Sequence, residues 1–414
     1  MDLTRLSSFC GIFYFHGSTV SRFMTSLQVS LGFPSSTIGD IIGVMRILTS
    51  IISPTISAFA DTKKVHRLMV ISQSISRIIP FMVMWYFYHR NELSVSSYWI
   101  LNGCISLLGT GIGPMSDALV LASLDDKSRY GKVRLWGALT YGVGNLVLGV
   151  LIQVYGDFSP MFGLSLITLI PAVASVYFIL PPFASDTKPA FNLSISAVYR
   201  LLTHSTSVKI FFLNSMVIGA ALSLVESLLF VAMDRAMNGS TPIIAGASVL
   251  ISVLFEIPIF QAAPSLIHKW GTKRMLIVAN VAWVIRALGY SIFSSAWIVL
   301  ILEIFHGITF GLYFSAAVHI CVNQCPPGMD STMQALLDMT FNGLGVGIGT
   351  IGGGYLFDSI GSSKTFLIFS LVVSMSTIAT FMLFIDGENH GLPARAETAY
   401  ELREPISTTR STES

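Results

Sequence analysis

The chain has 414 residues, of which 53% are hydrophobic and 11% are charged, and its mean hydropathy is +0.71. Soluble domains carry about 25% charged residues, so this composition excludes an ordinary soluble enzyme or binding domain and indicates an integral membrane protein. The formal net charge of +2 gives no field that would attract nucleic acid, and no nucleic-acid partner is expected.

Apolar segments separated by glycine, proline and charge clusters predict an all-α membrane protein with twelve transmembrane helices. The predicted spans are residues 7–29, 37–59, 68–88, 97–121, 133–155, 160–182, 208–232, 243–267, 275–294, 297–322, 332–356 and 365–385. Several of them contain charge-free runs long enough to cross a hydrocarbon layer of ~30 Å. The first apolar run does not end in a small-residue cleavage site, so we expect it to be the first span and not a removed signal.

The longest polar connection divides the spans into six and six. We predict an N-terminal bundle at 1–182, a cytoplasmic linker at 183–207, a C-terminal bundle at 208–386 and a disordered cytoplasmic tail at 387–414. The halves resemble each other: "LTYGVGNLVLGVLIQVYG" in span 5 and "MTFNGLGVGIGTIGGGYLFDSIG" in span 11 share their first threonine-aromatic pair and their clustered glycines. This similarity predicts two parallel six-helix repeats. The glycines themselves indicate close helix packing, because no strand precedes them as in a nucleotide-binding loop.

Basic residues in the loops predict the orientation in the membrane. With the N-terminus inside, the cytoplasmic side holds Arg5, Lys63, Lys64, Arg67, Lys127, Arg129, Lys132, Arg134, Lys188, Arg200, Lys209, Lys269, Lys273 and Arg274. The opposite side holds only Arg90, Arg235 and Lys364. This positive-inside bias predicts that both termini are cytoplasmic. The sequon that begins at Asn238 then falls in an outer loop.

Ionisable residues also fall inside the predicted spans. They are Arg22, Arg46, Arg77, Arg286, Asp117, Glu226, Glu256, Glu303 and Asp338. A charge near the bilayer centre costs ~2.5–3.5 kcal/mol on insertion scales, so such residues normally face a cavity and pair with one another. Five acids against four arginines leave one carboxylate without a fixed cation, which makes it a candidate proton carrier. The alternative is that all of these charges are structural ion pairs.

Individual residues receive predicted roles from this set. Glu303 and His306 are three residues apart and share a helix face, and histidine exchanges protons near neutral pH. We predict that they handle protons together with Arg286 and Glu256. The predicted solute-binding residues are Asp117, Arg134, Arg22, Glu226, Arg77 and Asp338. The predicted gating loop contains Asp61, Lys63, Lys64 and Arg67. The aromatic residues Trp136, Phe310, Tyr313 and Phe314 suit stacking on a ring, or serve as packing and interface anchors.

No metal site, cofactor or catalytic residue is predicted. The cysteines Cys10, Cys104, Cys321 and Cys325 fall in or beside apolar segments, and the pair at 321 and 325 with His319 matches packing better than a zinc spacing. The sequence contains no nucleophile elbow and no phosphate-binding loop on a soluble segment, so an enzyme is not expected.

Four stretches of the sequence form recognisable motifs. They are "SAFADTKKVHR" after span 2, "RYGKVRLWGALTYGVG" at the start of span 5, "LFEIPIF" in span 8 and "FHGITFGLYFSAAVHI" in span 10. With these motifs the chain resembles the major facilitator superfamily. The first resembles the G-x-x-x-D-R-x-G-R-R loop of the superfamily, with Ser57 in place of its first glycine. The other three resemble the branch of oligosaccharide/proton symporters, phenylpropionate permeases and nucleoside symporters, which includes orphan animal facilitator-domain proteins.

The resemblance implies roles for particular positions. In the lactose-permease type of this branch, an arginine of span 9 and a histidine of span 10 couple protons to substrate, and Arg286 and His306 match them. Thr309 stands where that type has a carboxylate, and Glu303 lies one turn before the histidine instead. Arg134 and Asp117 resemble the sugar-binding arginine and its carboxylate partner.

The expected function is therefore secondary active transport of a small polar organic solute, a sugar, nucleoside or aromatic acid, in symport with protons. An uncoupled facilitator and a receptor or scaffold that kept the fold without transport stay open as alternatives. We expect a monomer in the lipid bilayer, in the plasma membrane rather than an organelle, with the proton gradient as the driving force and no cofactor.

Overall fold

The computed structural model describes residues 2–20, 22–183, 206–236, 242–292, 295–323 and 330–384. The predicted tail and residues 184–205 of the predicted linker lie outside these ranges, as do Cys325 and the sequon at Asn238. The described part is helical throughout, with no strand. Within it, nine helices are long and apolar enough to cross a bilayer.

The first six spans form one half of the molecule. Their bounds are Leu3–Ser18 with Phe23–Ser30 for span 1, Ser35–Lys63 for span 2, His66–Ser76 with Ile78–His89 for span 3, Val95–Leu108 with Ile112–Ser123 for span 4, Tyr130–Tyr155 for span 5 and Ser159–Ile179 for span 6. A short 3₁₀ turn, Lys127–Arg129, precedes span 5.

The second half repeats this order. Span 7 is Thr206–Ser223, Leu224–Leu228 and Leu229–Ala236; spans 8 and 9 lie in Pro242–Ile292; span 10 is Ala296–Glu303, Gly307–Leu312 and Tyr313–Asn323; span 11 is Asp330–Asp338, Met339–Gly345 and Val346–Ile360; span 12 is Ser362–Leu383. Spans 8 and 9 meet at Gly271, whose φ of 72° interrupts the helix. The described helices therefore confirm the predicted twelve spans.

Prolines explain the breaks in spans 3 and 4. A proline inside a helix lacks the N–H donor, and its ring presses on the carbonyl four residues earlier. For Pro80 that carbonyl belongs to Ser76, where the first segment of span 3 ends. Pro114 follows the break in span 4, where Gly111 has a φ of +88°. The sequence contains both prolines, but the predicted spans ran through these breaks without interruption.

Three spans of the second half contain a π-helical turn. These turns are Leu224–Leu228, Gly307–Leu312 and Met339–Gly345. Single π turns inside α-helices occur frequently at functional sites. Here Glu226 lies inside the first turn, while His306 and Asp338 immediately precede the second and third.

The two halves pack closely along one end of the molecule, through backbone contacts at glycines. A Cβ on Gly39 of span 2 would lie 2.5 Å from the carbonyl oxygen of Thr350 in span 11. A Cβ on Gly246 of span 8 would clash with the carbonyl oxygen of Asn145 in span 5 and lie 2.9 Å from the Cα of Leu146. Small residues allow helices in a membrane to approach this closely. The glycine-rich run of span 11 is therefore a packing surface, as predicted.

A carboxylate also joins the halves at this end. Asp358 of span 11 accepts hydrogen bonds from the backbone N–H groups of Ser35 at 3.1 Å and Ser36 at 2.7 Å. These two residues begin span 2, so the carboxylate satisfies free donors at a helix N-terminus. We call this region, where spans 2 and 8 begin, the sealed end.

At the opposite end, the end of the N-terminus, the halves diverge. The segments Ile112–Ser123, Tyr313–Asn323 and Asp330–Asp338 pack against elements of their own half. Arg134 and Asp117 lie near this end of spans 5 and 4, and their side chains are 35% and 32% exposed. We infer that the space between the halves opens toward the end that carries the N-terminus.

We expect that Gly246→Val will shift the protein toward a state that is open at the sealed end. Its side chain meets backbone atoms of span 5, and overpacking of this kind costs about 1–3 kcal/mol. The conformational equilibrium should move by roughly 5- to 150-fold. The measurement is maleimide labelling of a single cysteine placed at Gln28, which is buried at the sealed end.

The matched control is Gly163→Val, because a Cβ at Gly163 meets nothing within 4 Å. Labelling at position 28 should rise for Gly246→Val and stay at the parent rate for the control. Equal labelling of the two variants would contradict the prediction.

Candidate functional site

Arg286 of span 9 is fully buried and surrounded by hydrogen-bond partners from its own span and from span 10. Its Nη2 donates to Oε2 of Glu303 at 2.7 Å, and its Nε donates to the hydroxyl of Tyr290 at 3.2 Å. Its Nη1 donates to Oγ1 of Thr309 at 3.0 Å and lies 3.1 Å from Nδ1 of His306. The guanidinium therefore organises the polar centre of the second half.

Glu303 has both carboxylate oxygens engaged. Besides the ion pair with Arg286, it accepts a hydrogen bond from the hydroxyl of Tyr290 at 2.6 Å and another from the hydroxyl of Ser252 in span 8. Its side chain is almost completely buried. A carboxylate held in this way is a fixed counter-ion and has no open approach from the cavity.

His306 connects this buried pair to Glu256 of span 8. Its Nδ1 faces Arg286, while its Nε2 lies 3.8 Å from Oε2 of Glu256. The imidazole also stacks on the ring of Phe310, with centroids 5.5 Å apart. The side chain of Glu256 is 20% exposed, so it stands at the boundary between the buried centre and the cavity.

A second ion pair joins the two halves. Nη2 of Arg22 in span 1 lies 3.1 Å from Oε1 of Glu226 in the π turn of span 7. Arg22 also donates to the side chain of Tyr141 in span 5. The structure thus places two predicted solute-binding residues, Arg22 and Glu226, at the interface between the halves.

A third charged cluster lies in the first half. Nε of Arg134 is 3.6 Å from Oδ1 of Asp117, and the guanidinium lies 3.7 Å from the ring centre of Tyr14. The hydroxyl of Tyr14 donates to Asp117 at 3.1 Å, and Tyr130 bonds the same carboxylate. The side chains of Arg134 and Asp117 are 35% and 32% exposed, so this cluster is accessible.

Two predicted solute-binding residues lie apart from these clusters. Arg77 stands at the break of span 3, beside Gly109 at the break of span 4, and its Nε has no hydrogen-bond partner among the described residues. Asp338 is exposed and accepts a hydrogen bond from Asn342 at 2.7 Å. Within the described residues, no ion pair joins either residue to these clusters.

The predicted gating loop has contacts within the first half. Asp61 lies 2.7 Å from Nε2 of the buried His66. Lys64 stands over the ring of Phe183, and Arg67 donates to backbone carbonyls at the end of span 6. Lys63 is exposed.

Several partners in the site were not found from the sequence. They are Tyr290, Ser252, Tyr14, Tyr141 and His66. Most of them are uncharged, so an inventory of charges inside the spans does not reveal them. The one available signal was spacing, because Tyr290 follows Arg286 by one helical turn.

Two six-helix halves around a polar cavity that is open at one end define a membrane transporter fold. The chain belongs to the MFS_1 like family, whose sequence model matches residues 3–368. Maltose permease of Geobacillus stearothermophilus is 26% identical over 378 residues, 90% of this chain and 92% of that protein. Major facilitator superfamily domain-containing protein 6-like protein B of Xenopus laevis is 24% identical over 246 residues, 56% of this chain and 39% of that protein.

Solved structures have the same fold. The nucleoside transporter NupG superposes with a TM-score of 0.77 at 15% identity, covering 93% of this chain and 99% of that one. The human organic anion transporter MFSD10 gives a TM-score of 0.61 at 14% identity. The protein is therefore a major facilitator transporter embedded in a membrane, and it is not an enzyme.

We expect the Arg286–Glu303 pair to be strongly coupled in stability. Arg286→Met leaves a buried carboxylate without its cation, and breaking a buried pair by removing one partner costs about 3–5 kcal/mol. The double substitution Arg286→Met with Glu303→Gln should be more stable than Arg286→Met alone. The measurement is thermal unfolding of the two single variants and the double variant in detergent. If the losses of stability of Arg286→Met and Glu303→Gln simply add in the double variant, the pair is not coupled.

The Arg22–Glu226 pair should tolerate exchange of its charges. Arg22→Glu or Glu226→Arg alone puts two like charges face to face across the halves, which should lower solute uptake. Because the pair is partly exposed to the cavity, Arg22→Glu with Glu226→Arg should recover part of that uptake. The measurement is solute uptake by cells that express each variant at equal surface levels. If the double variant recovers no uptake, one of the two residues has a role beyond the pair.

Proposed function

We propose that the protein is a proton-coupled symporter of a small hydroxyl-rich solute, a sugar or a nucleoside, that works by alternating access. The observation that carries the proposal is the position of Glu256. It lies within a span, its side chain opens to the cavity, and its ion-pair partner among the described residues is a histidine at 3.8 Å, not an arginine. A carboxylate in this position can gain and lose a proton as the cavity opens to one side and then the other.

The neighbouring groups support a division of roles. Glu303 balances the charge of Arg286 permanently through its 2.7 Å contact. His306 lies between Arg286 and Glu256, so its orientation and charge respond to whether Glu256 carries a proton. We therefore assign the transported proton to Glu256, assisted by His306, and a positioning role to Arg286 and Glu303.

The solute site is assigned to the cavity surface between Glu256, the Arg134–Asp117 pair of the first half and the Arg22–Glu226 pair that joins the halves. Arg134 and Asp117 present a donor and an acceptor that are partly exposed, and Arg22 with Glu226 presents another such pair. Paired donors and acceptors of this kind suit the hydroxyl groups of a sugar or ribose. The stacked rings of Phe310 and Phe314, 5.5 Å apart beside His306, suit the face of a sugar or a base.

Two relatives support the solute class. One is a permease for maltose by its name, and the other is a nucleoside transporter. The positive-inside bias supports a cytoplasmic position of both termini, which makes the described state inward-open. The loop with Asp61, Lys63, Lys64 and Arg67 would then gate the cytoplasmic side, and Arg77 and Asp338 would contact solute only in another state. We propose a monomer in the plasma membrane, driven by the proton gradient.

The test is solute-dependent proton uptake in proteoliposomes, with maltose and uridine as probes. We expect a proton flux with at least one solute in the parent, and uptake against a gradient. Glu256→Gln should lose the proton flux and the accumulation while it keeps exchange of solute at equilibrium, because the amide still forms hydrogen bonds but carries no proton.

The matched control is Asp157→Asn, which changes a carboxylate in the exposed loop between spans 5 and 6. It should behave as the parent. Proton flux that persists in Glu256→Gln would refute the assignment of the proton. Solute flux without protons in the parent would identify an uncoupled facilitator, and no flux for any solute would favour a receptor that kept the fold.

A further inference from the structure

A groove of about 860 Å³ lies between spans 1, 5 and 6, away from the central cavity. It is lined by Leu3, Thr4, Ser7, Ser8, Gly11, Ile12, Phe15, Lys132, Val133, Trp136, Thr140, Thr168 and Pro171. None of the charged clusters described above contributes to this lining. The proposed transport cycle leaves the groove without a role.

The groove is on the outer surface of the first half. Trp136 lines it, and Trp136 follows Arg134 by two residues, a rotation of roughly 200° in an α-helix, so the two side chains leave span 5 on opposite faces. Arg134 faces the cavity, and Trp136 is exposed on the other side. Ile167 and Ile170 of span 6 are 70% and 75% exposed beside it. In a membrane these side chains contact lipid.

The length of the groove fits one leaflet of the bilayer. On span 1 the lining runs from Leu3 to Phe15, a separation of twelve residues along the helix, which corresponds to roughly 18 Å. One leaflet contributes about 15 Å of the hydrocarbon thickness. Gly11 lies within this stretch, and its missing side chain leaves the groove open between Thr140 and Phe15.

The groove is polar at one end and apolar at the other. Lys132, near the start of span 5, and the hydroxyls of Thr4 and Ser7, near the start of span 1, lie at the end that carries the N-terminus. Deeper in the groove, the hydroxyls of Thr140 and Thr168 bond carbonyls of their own helices, which leaves their methyl groups for the lining.

The charge of the lining selects one kind of head group. Lys132 is its cation, and the lining contains no acidic residue. Thr4 and Ser7 have no hydrogen-bond partner for their hydroxyls among the described residues, so they can donate to phosphate oxygens. Basic pockets between spanning helices on the cytoplasmic side are known to receive anionic lipid head groups.

We propose that this groove binds an anionic phospholipid of the leaflet on the N-terminal side. One acyl chain lies along Gly11, Ile12 and Phe15, and the phosphate meets Lys132. The groove and the cavity share spans 1 and 5, and Phe15 directly follows Tyr14 of the Asp117 cluster. Binding of this lipid would therefore stabilise the packing that positions the first half of the cavity.

The experiment measures lipid binding by the purified full-length chain, independently of transport. The probes are phosphatidylglycerol and phosphatidylcholine with identical acyl chains, and glycerol 3-phosphate as a head group without chains. The readouts are retention in native mass spectrometry and the shift of the thermal unfolding temperature. The parent should retain phosphatidylglycerol in preference and be stabilised by it.

Two variants act on different parts of the groove. Lys132→Glu removes the cation, and retention of phosphatidylglycerol should fall by at least about fivefold, the effect of one basic residue at a membrane surface. Gly11→Leu fills the apolar part, and its Cβ meets only Thr140, at an ordinary contact distance of 3.5 Å. It should weaken both phospholipids. Unfolding temperatures in neutral lipid establish that both variants are folded.

The matched control is Lys209→Glu, the same charge change at an exposed position in the second half. It should retain phosphatidylglycerol as the parent does. The proposal is overturned if the parent retains both phospholipids equally, if Lys209→Glu weakens binding as much as Lys132→Glu, or if glycerol 3-phosphate stabilises the protein as well as the phospholipid does.

Discussion

The fully buried guanidinium of Arg286 imposes the strongest constraint on the second half of the molecule. An ionised side chain within a bilayer needs an opposite charge and partners for its N–H groups. Span 10 supplies Glu303, His306 and Thr309, and Tyr290 of span 9, the span of Arg286 itself, supplies a hydroxyl. These contacts fix spans 9 and 10 relative to each other. Span 10 departs from regular α-helical geometry directly after His306, in the π turn Gly307–Leu312.

Because the charge and the N–H groups of Arg286 all have partners, the two nearby carboxylates differ in accessibility. The proposed coupling depends on this difference. Glu303 is enclosed by donors, while Glu256 faces His306 on one side and the cavity on the other. The same constraint produces the two partly exposed ion pairs, Arg22 with Glu226 and Arg134 with Asp117. Because these pairs line the space between the halves, they are available to a solute, whereas the pair at Arg286 is not.

The close contact between the halves depends on a different principle. Alternating access requires surfaces that can separate, and the sealed end uses glycine contacts and the capping carboxylate of Asp358. Dispersion contacts between backbones are lost gradually as helices move apart, without leaving an unpaired ion. The outer surface of the first half is then free for lipid, and the groove beside Trp136 is part of it.

The sequence by itself determined the membrane location, the twelve spans, their division into two repeats and most charged residues of the cavity, because hydrophobic length and the cost of buried charge are properties of local composition. It also indicated that Glu303, His306 and Arg286 belong together. Only the tertiary structure decided that Glu303 is enclosed and Glu256 is open, since that depends on which hydroxyls of spans 8 and 9 reach the carboxylate. The place of Arg77 beside Gly109 likewise depends on how neighbouring spans pack, which a charge pattern along one chain does not contain. The breaks at Pro80 and Pro114 have a local cause in the sequence, which the predicted spans did not take into account.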